Sequence, residues 1–199
     1  MAQQVAVRPR RRGKELEHAL YDAALAELAD VGYAGLTMER IAARAHTGKA
    51  ALYRRWSSKR SLIRDALEYA LPAIPEPCNS RSARENLLAV FTAHCDVLAG
   101  KTAFPGLAII AQLIHAPELR AIFADAVVAP RLRIIESILC AGARDGEIKS
   151  DMLGPLAARV GPALINQHLM LTGAPPSKHD LIRIVDTVIP PASATGTSC

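Results

Sequence analysis

The sequence is poor in aromatic residues, which occupy 4% of its 199 positions and include one tryptophan. No stretch alternates apolar and polar residues as a half-buried strand does. Alanine and leucine dominate instead, a mixture that favours helix over sheet. Cysteine is also sparse: Cys78, Cys95, Cys140 and Cys199 form no C-x-x-C pair and no regular spacing. No disulfide framework or zinc site is legible, so a reduced, cytoplasmic protein without a cofactor is expected. The N-terminus is basic but no apolar run follows it, so no signal peptide is expected. The uncharged stretch Val160 to Ser177 holds Gly161, Pro162, Asn166, Gln167, His168, Gly173 and two further prolines. A membrane span needs ~20 mainly apolar residues, so no membrane partner is expected. H-E-x-x-H, G-x-S-x-G, P-loop and G-x-G-x-x-G patterns are all missing. The adjacent His94 and Cys95 would leave a helix in different directions. These absences point away from an enzyme.

Half the residues are apolar and 22% are charged, which excludes a disordered chain. The formal net charge is +5, and its placement is uneven. Residues 1–66 carry 13 Lys/Arg against 7 Asp/Glu, whereas the remainder carries 11 against 12. The basic excess in the first third suits a module that binds a polyanion, attached to a nearly neutral body. The same excess also suits a solvated basic surface.

Apolar spacing predicts an all-α chain of about nine helices. A flexible basic arm, 1–13, carries Arg8, Arg10, Arg11 and Arg12. Leu16, Leu20, Ala24 and Leu28 then mark a helix ending near Gly32, a residue suited to a C-cap. Thr37 is an N-cap candidate for a short helix whose inner face is Met38, Ile41, Ala42 and Ala45. His46, Thr47 and Gly48 break it, and a third helix is expected from Lys49 to Trp56. Ser57 and Ser58 cap a fourth with Leu62, Ala66 and Tyr69/Ala70. Pro72, Pro75 and Pro77 exclude regular helix and mark a boundary between 14–71 and 78–189. Beyond it, helices are expected over 81–99, 104–115, 117–143 (with a kink or break at Pro130), 151–171 and 177–189. Residues 190–199, rich in Pro, Ala, Ser, Thr and Gly, are expected to be a disordered tail.

The stretch 37–56 has the layout of a helix-turn-helix, whose second helix can enter a DNA major groove. Thr47, Gly48, Lys49, Ala50, Tyr53 and Arg54 would face outward. They are small or basic, so the backbone can approach and cations can reach phosphates or guanine edges. Leu52 and Trp56 would face inward. A generic helical hairpin with a basic rim fits the pattern as well.

The residues Gly35-Leu36-Thr37-Met38-Glu39-Arg40-Ile41-Ala42-Ala43-Arg44-Ala45, with Ala51-Leu52-Tyr53-Arg54-Arg55-Trp56-Ser57-Ser58-Lys59, resemble the DNA-binding signature of the tetracycline-repressor (TetR) family. The resemblance covers about Leu16 to Leu71. It implies a three-helix DNA-binding domain followed by a helical ligand-binding and dimerisation domain, hence a dimeric transcriptional regulator of double-stranded DNA with a palindromic operator. A repressor is the leading form; an activator or an effector-independent DNA-binding protein is the alternative. The resemblance places Thr37, Tyr53 and Lys59 at phosphates and Gly48, Lys49 and Ala50 on the base-reading face. His46 departs from the family, where glycine is common in the turn; a left-handed backbone there costs a non-glycine residue roughly 1–2 kcal/mol.

In the body, Phe104 to Ala116 is nearly all apolar, and such a helix is expected to be buried on every side. Gln112 and His115 are its polar side chains. With Phe91, His94 and Phe123 they either line a cavity for a small, mainly apolar effector or bond to backbone within plain core. The last two helices, about 151–171 and 177–189, have apolar surface on more than one side. A two-fold dimer through a four-helix bundle would cover both; a larger monomer core is the alternative.

Four arginines outside any helical pattern resemble arms that reach a minor groove or flanking phosphates. Deletion of residues 1–12 is therefore expected to lower DNA affinity and its dependence on salt, while circular dichroism stays that of the full chain. Undiminished affinity in a salt-titrated binding assay would make the arm a bystander.

Overall fold

Leu16, Leu20, Ala24 and Leu28 lie on one face at four-residue spacing, and the first helix forms beneath them. The computed structural model describes residues 13–102, 104–149, 153–154 and 156–189, and for Leu107 the backbone alone. The basic arm with Arg10, Arg11 and Arg12, and the tail beyond residue 189, lie outside the described residues.

Helix α1 spans Gly13–Gly35, with Leu20, Ala24 and Leu28 fully enclosed. At Gly32 the backbone turns to φ 70°, ψ 170°, a conformation left to glycine, and the regular helix stops there. Helix α2 spans Met38–Arg44; the Thr37 side chain accepts from the Arg40 amide at 3.2 Å. Its buried face is Met38, Ile41 and Ala42, continued by Ala45. The turn passes through His46 at φ 52°, the left-handed position. Helix α3 spans Lys49–Tyr53, shorter than expected, because Arg54 and Arg55 form a turn that brings the Trp56 amide back onto the Leu52 carbonyl at 3.0 Å. Leu52 and Trp56 are both buried. Helix α4 spans Lys59–Ala70, capped by Ser58, whose hydroxyl accepts from the Ser61 amide.

Beyond the prolines, α5 spans Ala83–Leu98 and opens on a capping box in which Ser82 and Glu85 satisfy each other's backbone amides. Helix α6, Gly106–Ile110, tightens into a 3-10 turn at Ala111–Ile114. This segment is not buried on every side: Ile109 is enclosed, but Ile114 is 69% exposed. The 3-10 winding stacks side chains three apart and leaves one edge of the segment outside. Helix α7, Pro117–Phe123, runs through a π turn at Ala124–Val128 into α8, Ala129–Arg144. The expected break at Pro130 is thus a change of winding. A proline ring crowds the carbonyl four residues back, and the wider turn just before it makes room. Helices α9, Ala157–Thr172, and α10, Lys178–Val188, complete the fold. The described residues form nine continuous helical rods and no strand. None of these helices is long and apolar enough to cross a membrane.

The apolar interior divides into two clusters. One joins α1–α4 to Val97, Phe104, Ile109, Leu119, Ile122, Ala126 and Val127, so the first four helices and the body share a core. The other is built by α5, α8, α9 and α10 around Leu87, Phe91, Ile138, Ile165 and Val185. Here α9 lies against Phe91 so closely that a Cβ at Gly161 would clash with the Phe91 ring.

The left-handed backbone at His46 costs about 1–2 kcal/mol in a residue with a Cβ, and glycine gives back part of that relief through its unfolded-chain entropy. His46→Gly is expected to raise stability by about 0.5–1 kcal/mol, read as a higher urea midpoint with an unchanged slope. A lower midpoint would show that the imidazole makes a compensating contact.

Candidate nucleic-acid interface and cavity

Helices α2 and α3 have 7 and 5 residues, too few to hold a fixed pose alone. The neighbouring helix α1 fixes them. Glu27 stands among the buried residues of α1; its carboxylate accepts a hydrogen bond from Arg40 Nε at 2.8 Å and forms an ion pair with Arg44, whose Nε lies 3.3 Å away, both from α2. Arg44 also pairs with Asp30. Trp56, edge-on to Tyr21, donates from Nε1 to Asp65 of α4 at 2.9 Å. Sequence reasoning missed Glu27; the signal was a carboxylate beside Leu28 on an apolar stripe, with two arginines four apart on the next helix.

The outward residues of this unit form one exposed face: Gly48, Lys49, Ala50, Tyr53 and Arg54 are all exposed, and Thr47 is half-buried. Gly48 is the N-cap of α3 and gives no side-chain cap bond, so its surface is bare backbone. Tyr53 is 48% exposed, which for an aromatic residue marks a surface without internal packing. Thr37 caps α2 at the same edge. Lys49 Nζ lies 3.2 Å from Glu39 Oε1. Backbone hydrogen bonding at the start of α2 holds the Glu39 carboxyl below its usual range, and Lys49 and Tyr53 add to this. Glu39 is therefore a negative charge on a face otherwise made of cations, small residues and Tyr53.

Lys59 is placed differently from the phosphate role its motif implies. Its ammonium donates to the carbonyls of Tyr33 at 3.0 Å and Leu36 at 3.4 Å, and sits 4.4 Å from the centre of the Tyr33 ring. It pins the segment after Gly32 to the start of α4. An ammonium has three donors, so one remains for a phosphate.

A cavity of about 370 Å³ opens in the body. Of the five residues expected there, Phe91, His94 and Phe123 line it. Gln112 and His115 do not. The Gln112 amide donates to the Leu28 carbonyl of α1 at 2.9 Å and to Ala108 at 3.1 Å, which makes it a tie between the body and α1. His115 is exposed where the 3-10 turn ends, because that winding rotates it away from the interior. Arg131 and Asn166 also line the cavity and were not singled out in the sequence. His94 Nε2 lies 3.0 Å from Asn166 Oδ1. Burial lowers the pKa of His94, and Arg131 nearby lowers it further, against a raising effect from Asn166. The outer side of α9 carries Leu156, Val160, Met170 and Leu171, the last two 78% and 79% exposed.

Two short helices joined by a tight turn, the second exposed, have the layout of a helix-turn-helix, and comparisons with known proteins make the class a DNA-binding transcriptional regulator. Residues 20–66 match the family model described as bacterial regulatory proteins, tetR family. Residues 78–188 match the tetracyclin repressor-like C-terminal domain. The chain belongs to the TetR family. It is 30% identical over 183 residues to the DNA-binding transcriptional repressor TetR of Mycobacteroides abscessus, covering 89% of this chain and 94% of that protein. An uncharacterized HTH-type transcriptional regulator of Mycobacterium tuberculosis is 28% identical over 170 residues, 85% of this chain and 84% of the relative. A TetR transcriptional regulator from Agrobacterium tumefaciens has the same fold, with a TM-score of 0.64, 22% identity and coverage of 87% of this chain and 90% of that one.

The Glu39 carboxylate pairs with Lys49, and on a DNA-bound face it would repel phosphates and compete with them for that lysine. Glu39→Gln is expected to raise affinity for non-specific duplex several-fold at low salt, and by less as salt screens the charge. Anisotropy titrations at two ionic strengths read this; equal affinities for both proteins would place Glu39 off the DNA.

Proposed function

We propose that this chain is a homodimeric, cytoplasmic repressor that a small, mainly apolar effector releases from a palindromic operator. The observation that carries the DNA-binding half is the exposed face of α3, where Gly48, Lys49, Ala50, Tyr53 and Arg54 stand together on a support fixed by Glu27. In this reading, residues 14–71 bind DNA, and residues 78–189 bind effector and the second subunit. Thr37, Tyr53, Lys59 and the arginines of the arm hold phosphates, while Thr47, Gly48, Lys49, Ala50 and Arg54 approach base edges. The named repressor among the relatives supports the sign of regulation.

The dimer reading rests on α9. Leu156, Val160, Met170 and Leu171, at 100° per residue, fall within one side of the helix and its N-cap and are all exposed. Inner residues of α10, Leu181, Val185 and Val188, are already used against the body. A second copy meeting α9 and α10 about a two-fold axis covers the exposed stripe and supplies the second reading helix. Adjacent half-sites on duplex DNA lie ~34–36 Å apart, which sets the spacing the two α3 helices must meet. The cavity supports the effector: most of its wall is apolar, and it stands on the segment that also ties the body to α1.

Salt-titrated binding to genomic fragments tests the reading, with sedimentation of the same sample to show a dimer. Tyr53→Phe is expected to weaken all sequences alike and to reduce the salt slope by up to about one unit, as for a lost phosphate contact. Lys49→Ala is expected to change which fragment is preferred, since a good base contact discriminates by ~1–3 kcal/mol. Equal weakening of cognate and scrambled sites by Lys49→Ala would make Lys49 a phosphate clamp, and a protein that binds no fragment would remove the proposal.

A further inference from the structure

We propose that the cavity takes a monocarboxylate amphiphile, its head on Arg131 and its chain along the apolar wall. This rests on the effector reading above and adds the chemical class of the effector. Three helices bring polar groups to one part of the cavity lining: His94 from α5, Arg131 from α8 and Asn166 from α9. The rest of that lining is largely aliphatic and aromatic, with Phe91, Phe104, Phe123 and Leu132 in it, and none of its residues is Asp or Glu.

Arg131 is half-buried, and its Nη1 donates to the Val127 carbonyl at 3.0 Å. No carboxylate lies within ion-pair distance of it among the described residues. A guanidinium has five N–H donors in a fixed fork, and a desolvated charge without a counter-ion is costly. Burial lowers the pKa of Arg131, but the group stays charged at neutral pH. The second arginine at the wall, Arg120, is exposed and spends its Nη1 on the carbonyls of Leu113 and Ile114, closing the 3-10 turn. That leaves Arg131 as the cation facing an apolar space. His94 beside it is held toward the neutral form by burial and by Arg131 itself, so it adds no second cation.

One half-buried cation on an apolar wall is best matched by one negative charge. A carboxylate meets the guanidinium with two oxygens in its own plane. A phosphate monoester would bring a charge near −2 and leave part of it uncompensated among Phe91, Phe104 and Phe123. An alcohol or amine of the same chain length would leave Arg131 unpaired. The cavity volume is near the lower end for small-molecule sites, which limits the chain to modest length.

Calorimetric titration of the full chain at neutral pH with octanoate and with 1-octanol tests this. Octanoate is expected to bind roughly tenfold tighter or more, the worth of a charge-assisted hydrogen bond. In Arg131→Met, octanoate should lose that advantage while 1-octanol binds as before. Arg131→Lys, which keeps the charge and loses the fork, should retain part of it. Circular dichroism of both variants shows whether the helices persist. Octanol binding as tightly as octanoate, binding of neither, or an undiminished preference in Arg131→Met would overturn the proposal. Affinity for a DNA fragment, measured in parallel, separates the two readings. Octanoate bound through Arg131 without any change in DNA affinity keeps the carboxylate site and removes the release mechanism. Release by octanol and octanoate alike does the reverse.

Discussion

The pose of the short helices α2 and α3 depends on a carboxylate that water barely reaches. Glu27 projects from α1 into the angle between α1 and α2 and holds two arginines of α2 at once. Helices of 7 and 5 residues have little intrinsic stability, and their few apolar residues fix depth better than rotation. Charged hydrogen bonds from Arg40 to Glu27 and from Arg44 to Asp30, with the Arg44–Glu27 ion pair between them, fix the rotation that packing alone leaves loose. The next residue in the chain, Leu28, gives its carbonyl to Gln112 of the body. Two consecutive positions of α1 thus face opposite obligations: one grips α2, the other is gripped by the body.

This arrangement explains why the two halves share a core. The proline segment at 72–77 separates them in sequence, yet Ile109, Leu119, Ile122 and Val127 pack into the same cluster as Leu20, Leu52 and Leu67. The segment that carries Gln112 also carries Ile110 and Leu113 into the cavity wall. A shift of that wall meets α1 directly, through a hydrogen bond at the point where Gly32 ends the helix. The Gln112 Oε1 atom is buried without a partner and would lie 3.4 Å from a Cβ at position 32, so the contact has little slack on that side.

Much of this was legible in the sequence because local signals agreed with one another. The stripe from Leu16 to Leu28, the Thr37 and Ser58 caps and the left-handed strain at His46 all act over a few residues. The exposed face of α3 could be read for the same reason. Gln112 and His115 were less tractable. Their role depends on the change from α to 3-10 winding after Ile110, and a nearly all-apolar stretch gives no warning of it. Arg131 and Asn166 were hidden for a different reason: an arginine or asparagine on a helix looks like solvated surface until helices more than thirty residues away close over it. Glu27 combined both difficulties, since its partners lie on another helix and its neighbours in sequence are ordinary core.

The single tryptophan gives this molecule an optical asymmetry. Trp56 is buried in the reading unit, against Tyr21 and bonded to Asp65, and it is not among the residues around the cavity. Its emission therefore reports from the DNA-binding end of the protein alone. A molecule entering the body cannot quench or shift that signal by touching the indole. Any spectral change that follows occupancy of the cavity is a direct record of motion carried across the shared core, and a silent indole means that the disturbance stopped short of it.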